Sequence, residues 1–311
     1  MKNIFITGIE SHLGAAVLDD FLQNDYQVFI LESDQLYSSR IQGQPSNLHI
    51  VNEHIDSLLV MDDFFAGIDC IIHANGLDIF KPLAESQLID HKEITSELLN
   101  AALAFNVKRF IYLSTAFAFK PGSQNNTITE KSHQQDKKHS EILHSMALTE
   151  REVWRAVAEG LDAVILNPAV CLDSRSQCGF FDWLKSDLYT SHSINSAVNN
   201  AFIDVRDVAT VCRLCLELDI VNEQFLLAAF HCDVKDFIAD YHEKMRIHSA
   251  SSRLKFWSMH LKKHFSTTQK NHLKLLQALF GRDYNFDCSK AGAVFNMSYR
   301  EKKEILDELD I

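Results

Sequence analysis

Residues 7–14, Thr-Gly-Ile-Glu-Ser-His-Leu-Gly, lie between a short apolar run and a segment of helical period. In that position glycines allow a tight turn and bring backbone N–H groups up to a pyrophosphate at a helix N-terminus. Thr7, Gly8, Ser11, His12, Leu13 and Gly14 are therefore candidate contacts for a dinucleotide. Ser11 stands where an unbroken fingerprint has glycine, which leaves open a plain strand–helix turn without a ligand. Glu32 closes the next strand. A carboxylate there would bind ribose hydroxyls and repel a 2′-phosphate, so NAD is expected over NADP. Cys212 and Cys215 form a Cys-x-x-Cys inside a helical stretch, with no second pair or histidine at ligand spacing. Core packing is the expected role, and no metal site is expected. Tyr299 and Lys303 have the spacing of a proton-relay pair but fall in the last helix, beside no nucleotide-binding strand, and are set aside. Asp204 and Asp207 flank Arg206 and are expected to anchor structure.

The elements that must position these residues alternate. Short β-branched or aromatic runs at 3–6, 28–31, 49–51, 70–73, 109–113 and 163–166 are separated by helical-period segments at 13–23, 58–65, 86–106 and 140–159. That alternation predicts βαβ units around a parallel sheet. A further helix is expected at 205–218, and several more after 233. Residues 1–165 are expected to form a nucleotide-binding Rossmann core, with later strands drawn from 166–235. Residues 166–311 are then a mixed region that includes a smaller capping lobe. The expected fold class is α/β, a doubly wound parallel sheet with helices on both faces and that C-terminal lobe.

Composition bounds the function. The chain has 311 residues, 46% hydrophobic and 23% charged, as expected of a globular protein with a sizeable core. Its formal charge of −12 argues against nucleic acid as a partner. No secretory leader pattern follows Met1, and no apolar run is long enough to span a bilayer, so a cytoplasmic location is expected. One stretch departs from the acidic average. Residues 244–282 contain no acid and nine basic residues, interleaved with Leu254, Phe256, Trp257, Met259, Leu261 and Phe265. This is either a helical face packed by its apolar side or a basic amphipathic segment that docks on an anionic membrane or an acidic partner. The second reading would make the protein membrane-peripheral.

Several ordered motifs together resemble the extended short-chain dehydrogenase/reductases of the NAD-dependent epimerase/dehydratase and dihydroflavonol-reductase-like kind. Residues 7–14 match the family's glycine turn except at Ser11, and Ile71-Ile72-His73-Ala74-Asn75-Gly76 matches its fourth-strand ending. Residues 107–115 match its Val-Lys-Arg-Phe-Val-Tyr-x-Ser-Ser/Thr segment. Residues 160–168 match a Gly-Leu-Asp block ending in Pro168, with Asn167 in place of arginine. Residues 202–209 and 284–291 match two later motifs. The resemblance implies cofactor contacts from Ile55, His73, Ala74, Asn75 and Pro168. It also implies a homodimer through the helices near 86–106 and 140–159.

In that family a Ser/Thr, a Tyr and a Lys act together. The lysine lowers the tyrosine pKa and holds the nicotinamide ribose, and the tyrosine exchanges a proton with the substrate as hydride moves. Thr115 matches the Ser/Thr, but Ile142 stands for the tyrosine and Met146 for the lysine. Neither can donate a proton. His91, Lys120 and His54 also depart from the family pattern around the same groove. Stand-in acids would have to come from residues such as His139, His144 or His73. The sequence thus predicts an NAD-binding protein without Tyr/Lys hydride chemistry, acting as a sensor, scaffold or partner subunit. Its alternative is an NAD(P)-dependent oxidoreductase, epimerase or dehydratase with an unusual proton donor.

Overall fold

The computed structural model describes residues 1–31, 45–52, 62–74, 79–121, 127–137, 139–175, 179–185, 198–246 and 266–309. Glu32, His54, Ile55, Asn75 and the stretch 247–265 lie outside the described residues.

The chain begins with β1 (Lys2–Thr7), α1 (His12–Leu22), β2 (Tyr26–Leu31), β3 (Leu48–Val51), α2 (Asp62–Ala66) and β4 (Cys70–His73). Next come α3 (Glu85–Ala104), β5 (Arg109–Leu113), a 3₁₀ turn at Ala116–Ala118, β6 (Thr127–Ile128), α4 (Glu141–Ala158) and β7 (Ala163–Pro168). β8 (Val170–Leu172), α5 (Phe180–Lys185), β9 (Asn199–Asp204), α6 (Val205–Glu217), β10 (Glu223–Leu227) and β11 (Phe230–Asp233) follow. The chain closes with α7 (Val234–Lys244), α8 (Thr267–Phe280), β12 (Asn285–Phe286), α9 (Ser289–Phe295) and α10 (Lys302–Asp307).

Seven strands form one parallel sheet in the order β10-β7-β5-β4-β1-β2-β3. Strand side chains alternate between faces, and here both faces are buried. Ile4, Ile6, Val28, Ile72, Ile111 and Val164 pack under α1 and α6. Their neighbours Phe5, Ile71, Phe110, Tyr112 and Ile165 pack with residues of α2, α3 and α4 on the other face. The expected doubly wound α/β sheet is present. Its outermost strand β10 comes from residues 223–227, so the sheet draws on chain well beyond position 165.

A third apolar cluster lies apart from the two sheet faces. It joins Phe80, the N-terminal half of α4, α5, β9, α7, α8 and Tyr284. Two small sheets frame it, β11-β9-β8 and β12-β6. α8 is the C-terminal part of the basic stretch, and it packs by its apolar side: Leu275, Leu276, Leu279 and Phe280 are buried while Lys270 and Lys274 are exposed. Among the described residues no helix is long and apolar enough to cross a membrane.

Candidate functional site

The turn between β1 and α1 is tightly built. Gly8 has φ +80°, a conformation other residues rarely adopt. A Cβ on Gly14 would come within 2.1 Å of the Gly8 carbonyl oxygen, so the helix sits directly on the turn. Ser11 is the N-cap of α1: its Oγ accepts from the Gly14 N–H at 3.0 Å and donates to the Gly8 carbonyl at 2.8 Å. The hydroxyl thus occupies one of the helix-end N–H groups that the sequence assigns to a pyrophosphate. Ser11 has φ −81°, so the serine needs no strained backbone.

Behind the turn, His73 is fully enclosed. Thr95 donates its one hydroxyl hydrogen to the His91 carbonyl at 2.8 Å, so it accepts from His73 Nε2 at 2.9 Å. His73 Nδ1 therefore accepts from Thr7 Oγ1 at 2.7 Å. His91 stacks on His73 with ring centroids 5.3 Å apart, and its Nε2 lies 3.1 Å from the Tyr112 hydroxyl. Burial, with His91 close by, holds His73 far below its usual range, and burial drives His91 down to about 4. Both rings are neutral at pH 7, with both His73 nitrogens and His91 Nε2 turned into the protein. His73 ties β1 and β4 to α3; its ring does not face the cavity described next.

Ser11, His12, Ala74, Phe80, Thr115 and Met146 line a cavity of about 50 Å³, with Pro168 also on its wall. Thr115 caps the 3₁₀ turn, its Oγ1 accepting from Phe117 N at 3.4 Å. Met146 and Ile142 are buried and belong to the third apolar cluster, together with Phe80 and Trp183. The structure brings Thr115, Met146 and the glycine turn together. It does not bring in the histidines considered as stand-ins. His139 is exposed. His144 donates Nδ1–H to the Gln135 carbonyl at 3.0 Å and lines a separate groove of about 550 Å³ between α3 and α4. The histidine that does line the cavity is His12. Lys120 is drawn away to Asp136, at 2.8 Å.

The sequence reading overlooked a buried carboxylate behind this wall. Glu150 receives Ser114 Oγ at 2.5 Å, Asn167 Nδ2 at 2.6 Å, Gln134 Nε2 at 3.0 Å and Gln224 Nε2 at 3.1 Å. Burial raises its pKa, and the four hydrogen bonds pull it back only in part. Asn167 also donates to the Thr115 carbonyl at 2.9 Å, so the network fixes the backbone beneath Thr115. Two signals pointed to it: Met146 and Glu150 are four apart on the inward face of α4, and Asn167 replaces the family's arginine. Cys212 and Cys215 are buried in α6, and burial pushes Cys215 up to about 12, as packing thiols require. Tyr299 packs against the cluster under α6, beside α9, and Lys303 is exposed.

With this geometry in hand, the model of the NAD dependent epimerase/dehydratase family matches residues 4–228. The chain belongs to that family. Solved structures share the fold at low identity. The Bordetella bronchiseptica enzyme WbmH in complex with NAD+ is 18% identical with a TM-score of 0.69, covering 98% of this chain and 96% of its own. UDP-glucuronic acid 4-epimerase from Bacillus cereus, in complex with UDP-glucuronic acid and NAD, is 15% identical with a TM-score of 0.75, covering 99% and 97%. UDP-glucose 4-epimerase from Thermotoga maritima, with UDP-glucose, is 17% identical with a TM-score of 0.71 over the same shares.

The glycine turn retains the close helix packing that phosphate binding uses. The cavity at Thr115 and Met146 does not fit the other end of the family's dinucleotide, because it has the volume of a few waters and Met146 offers a ribose no hydrogen bond.

Proposed function

We propose that this chain is a nucleotide-binding member of its family that does not run Tyr/Lys hydride transfer and acts as a sensor, scaffold or partner subunit. The observation that carries this reading is the burial of Ile142 and Met146 in an apolar cluster, at the positions where the family places its proton donor and its lysine. Neither side chain can exchange a proton, and restoring the pair would bring a hydroxyl and an ammonium into an apolar core. Glu32 supports selection against a 2′-phosphate, hence NAD-type over NADP-type nucleotides.

The experiment is a calorimetric titration with NAD, NADH, NADP and NADPH, joined to a turnover screen over UDP-sugars and small carbonyl compounds. Binding of the NAD-type nucleotides without turnover is the expected result. Turnover abolished by Thr115→Ala would overturn the non-catalytic reading, and no binding at millimolar concentration would overturn the nucleotide reading.

A second reading is an oxidoreductase, epimerase or dehydratase with a non-standard acid. It is favoured by the family itself and by the presence of His12 in the same cavity wall as Thr115. Loss of any detected turnover in His12→Ala, with His144→Ala unaffected, would support it.

The groove between α3 and α4 supports a homodimer, since Leu88, Ile89 and Leu148 line it and Ile89 is half exposed. We place the protein in the cytoplasm, with residues 244–282 as a docking segment for anionic membrane or an acidic partner through its charged side, since the apolar side of α8 is already buried in the lobe. Salt-sensitive binding to anionic vesicles tests the membrane form of that idea.

A further inference from the structure

Three observations converge on the end of the site marked by Thr115 and Met146. The first is space: the cavity there is about 50 Å³, whereas clefts that hold cofactor-sized ligands run to about 300–1,000 Å³.

The second is what fills the room. Phe80, just beyond β4, is buried with its ring 5.4 Å from Phe180 and 5.9 Å from Trp183. Trp183 in turn stacks on Phe280 at 5.7 Å, with the rings 5° from parallel. These rings come from three separate segments of the chain, so the plug is part of the packed lobe. Opening the cavity means moving Phe80 off Phe180, Trp183 and Phe280.

The third is polar commitment. Ser114 gives its hydrogen to Glu150 at 2.5 Å, and Ser11 gives its own to Gly8 at 2.8 Å. The Asn167 amide is spent on Glu150 and the Thr115 carbonyl. A ribose entering here would find Ser11, Ser114 and Asn167 already engaged and Met146 where it needs a donor, with the Thr115 hydroxyl hydrogen left to offer.

We infer that the nicotinamide end of the family's cofactor site is built shut in this chain, and that its ligand is an adenosine diphosphate held without the nicotinamide riboside. Phe80 is the residue that sets this specificity. The inference rests on the nucleotide-binding reading proposed above, and it replaces the whole dinucleotide by its adenosine half.

The test uses the full chain with ADP and NAD. Calorimetry is expected to give affinities within roughly threefold of each other, because the nicotinamide riboside adds no contact. In saturation-transfer NMR on bound NAD, the adenine protons are expected to take up saturation and the nicotinamide protons to remain near background. Phe80→Ala is expected to tighten NAD selectively, leaving ADP unchanged, while Phe80→Leu stays close to the parent.

NAD binding more than about tenfold tighter than ADP would overturn the inference and leave the nucleotide reading intact. So would nicotinamide protons saturated as strongly as adenine. An equal effect of Phe80→Ala on both ligands would remove Phe80 as the closing element. Failure of both ligands to bind would overturn the nucleotide reading itself. The parent protein's ADP/NAD ratio decides the matter even where Phe80→Ala does not fold.

Discussion

Replacing Glu150 by leucine probes the network behind the cavity wall. The carboxylate loses four donors, but their fates differ. Asn167 Nδ2 keeps the Thr115 carbonyl at 2.9 Å, and Gln224 Nε2 keeps Asn167 Oδ1 at 2.8 Å. Gln134 is only partly buried, so its amide can reach water. Ser114 is buried, and Glu150 is the one acceptor of its hydroxyl among the described residues.

One stranded hydroxyl costs about 1–3 kcal/mol, and each hydrogen bond exchanged for a weaker alternative about 0.5–1.5 kcal/mol. Relief from burying an acid offsets part of this, leaving a net loss of about 2–4 kcal/mol. For a chain of this size that corresponds to a fall in Tm of roughly 3–6 °C.

The sign with pH is also fixed. Because burial raises the folded carboxyl above its unfolded value of 4.5, the folded state holds an extra proton in the window between the two. Glu150 therefore contributes most at low pH, and that contribution is lost as pH rises through its folded pKa. Glu150→Gln should remove this component, with a smaller drop in Tm than leucine causes. Differential scanning calorimetry from pH 4 to 8 on the three proteins is the assay. An unchanged Tm for Glu150→Leu at pH 7 would refute the reasoning.

Other consequences are open to measurement. His91 is held neutral with a pKa of about 4 against 6.5 unfolded, so stability should fall as pH drops through that window, by about 3 kcal/mol at most. His91→Asn should flatten that slope in urea unfolding at stepped pH; an unaltered slope would contradict the assignment. Gly14→Ala places a methyl group 2.1 Å from the Gly8 oxygen and should cost at least about 2 kcal/mol while abolishing ADP binding. Native-like affinity in that variant would show that the turn is not the phosphate site. Ile89→Glu puts a charge into the groove between α3 and α4, and light scattering should report a monomer in place of the dimer proposed for the parent. A parent protein already monomeric at micromolar concentration would remove the dimer.

The sheet was legible because its signals are local and repeated. The strands at 70–73 and 109–113 coincide with β4 and β5, and the helix expected at 140–159 differs from α4 by one residue at each end. β10 was harder, since Glu223 and Gln224 open it with polar residues and only its neighbours β7 and α9 explain them. Gln224 is inside because it donates to Glu150 and Asn167, a pairing separated by more than fifty residues and invisible to periodicity.

The same limit applies at the site. The absence of tyrosine and lysine at 142 and 146 could be read directly, but the packing of rings around Phe80 could not. Phe80, Phe180, Trp183 and Phe280 read as ordinary apolar residues until the fold stacks them. The placing of the histidines was hidden for a related reason. His144 lies two residues from both Ile142 and Met146, and that rotation of about 200° turns it to the opposite groove.

A crystal structure of the protein soaked with NAD tests the central claim most directly. The account predicts an ordered adenosine diphosphate portion against the turn from Gly8 to Gly14, with Phe80 still packed on Phe180 and Trp183 and no ordered nicotinamide. An ordered nicotinamide riboside between Thr115 and Met146, with Phe80 displaced, would contradict it.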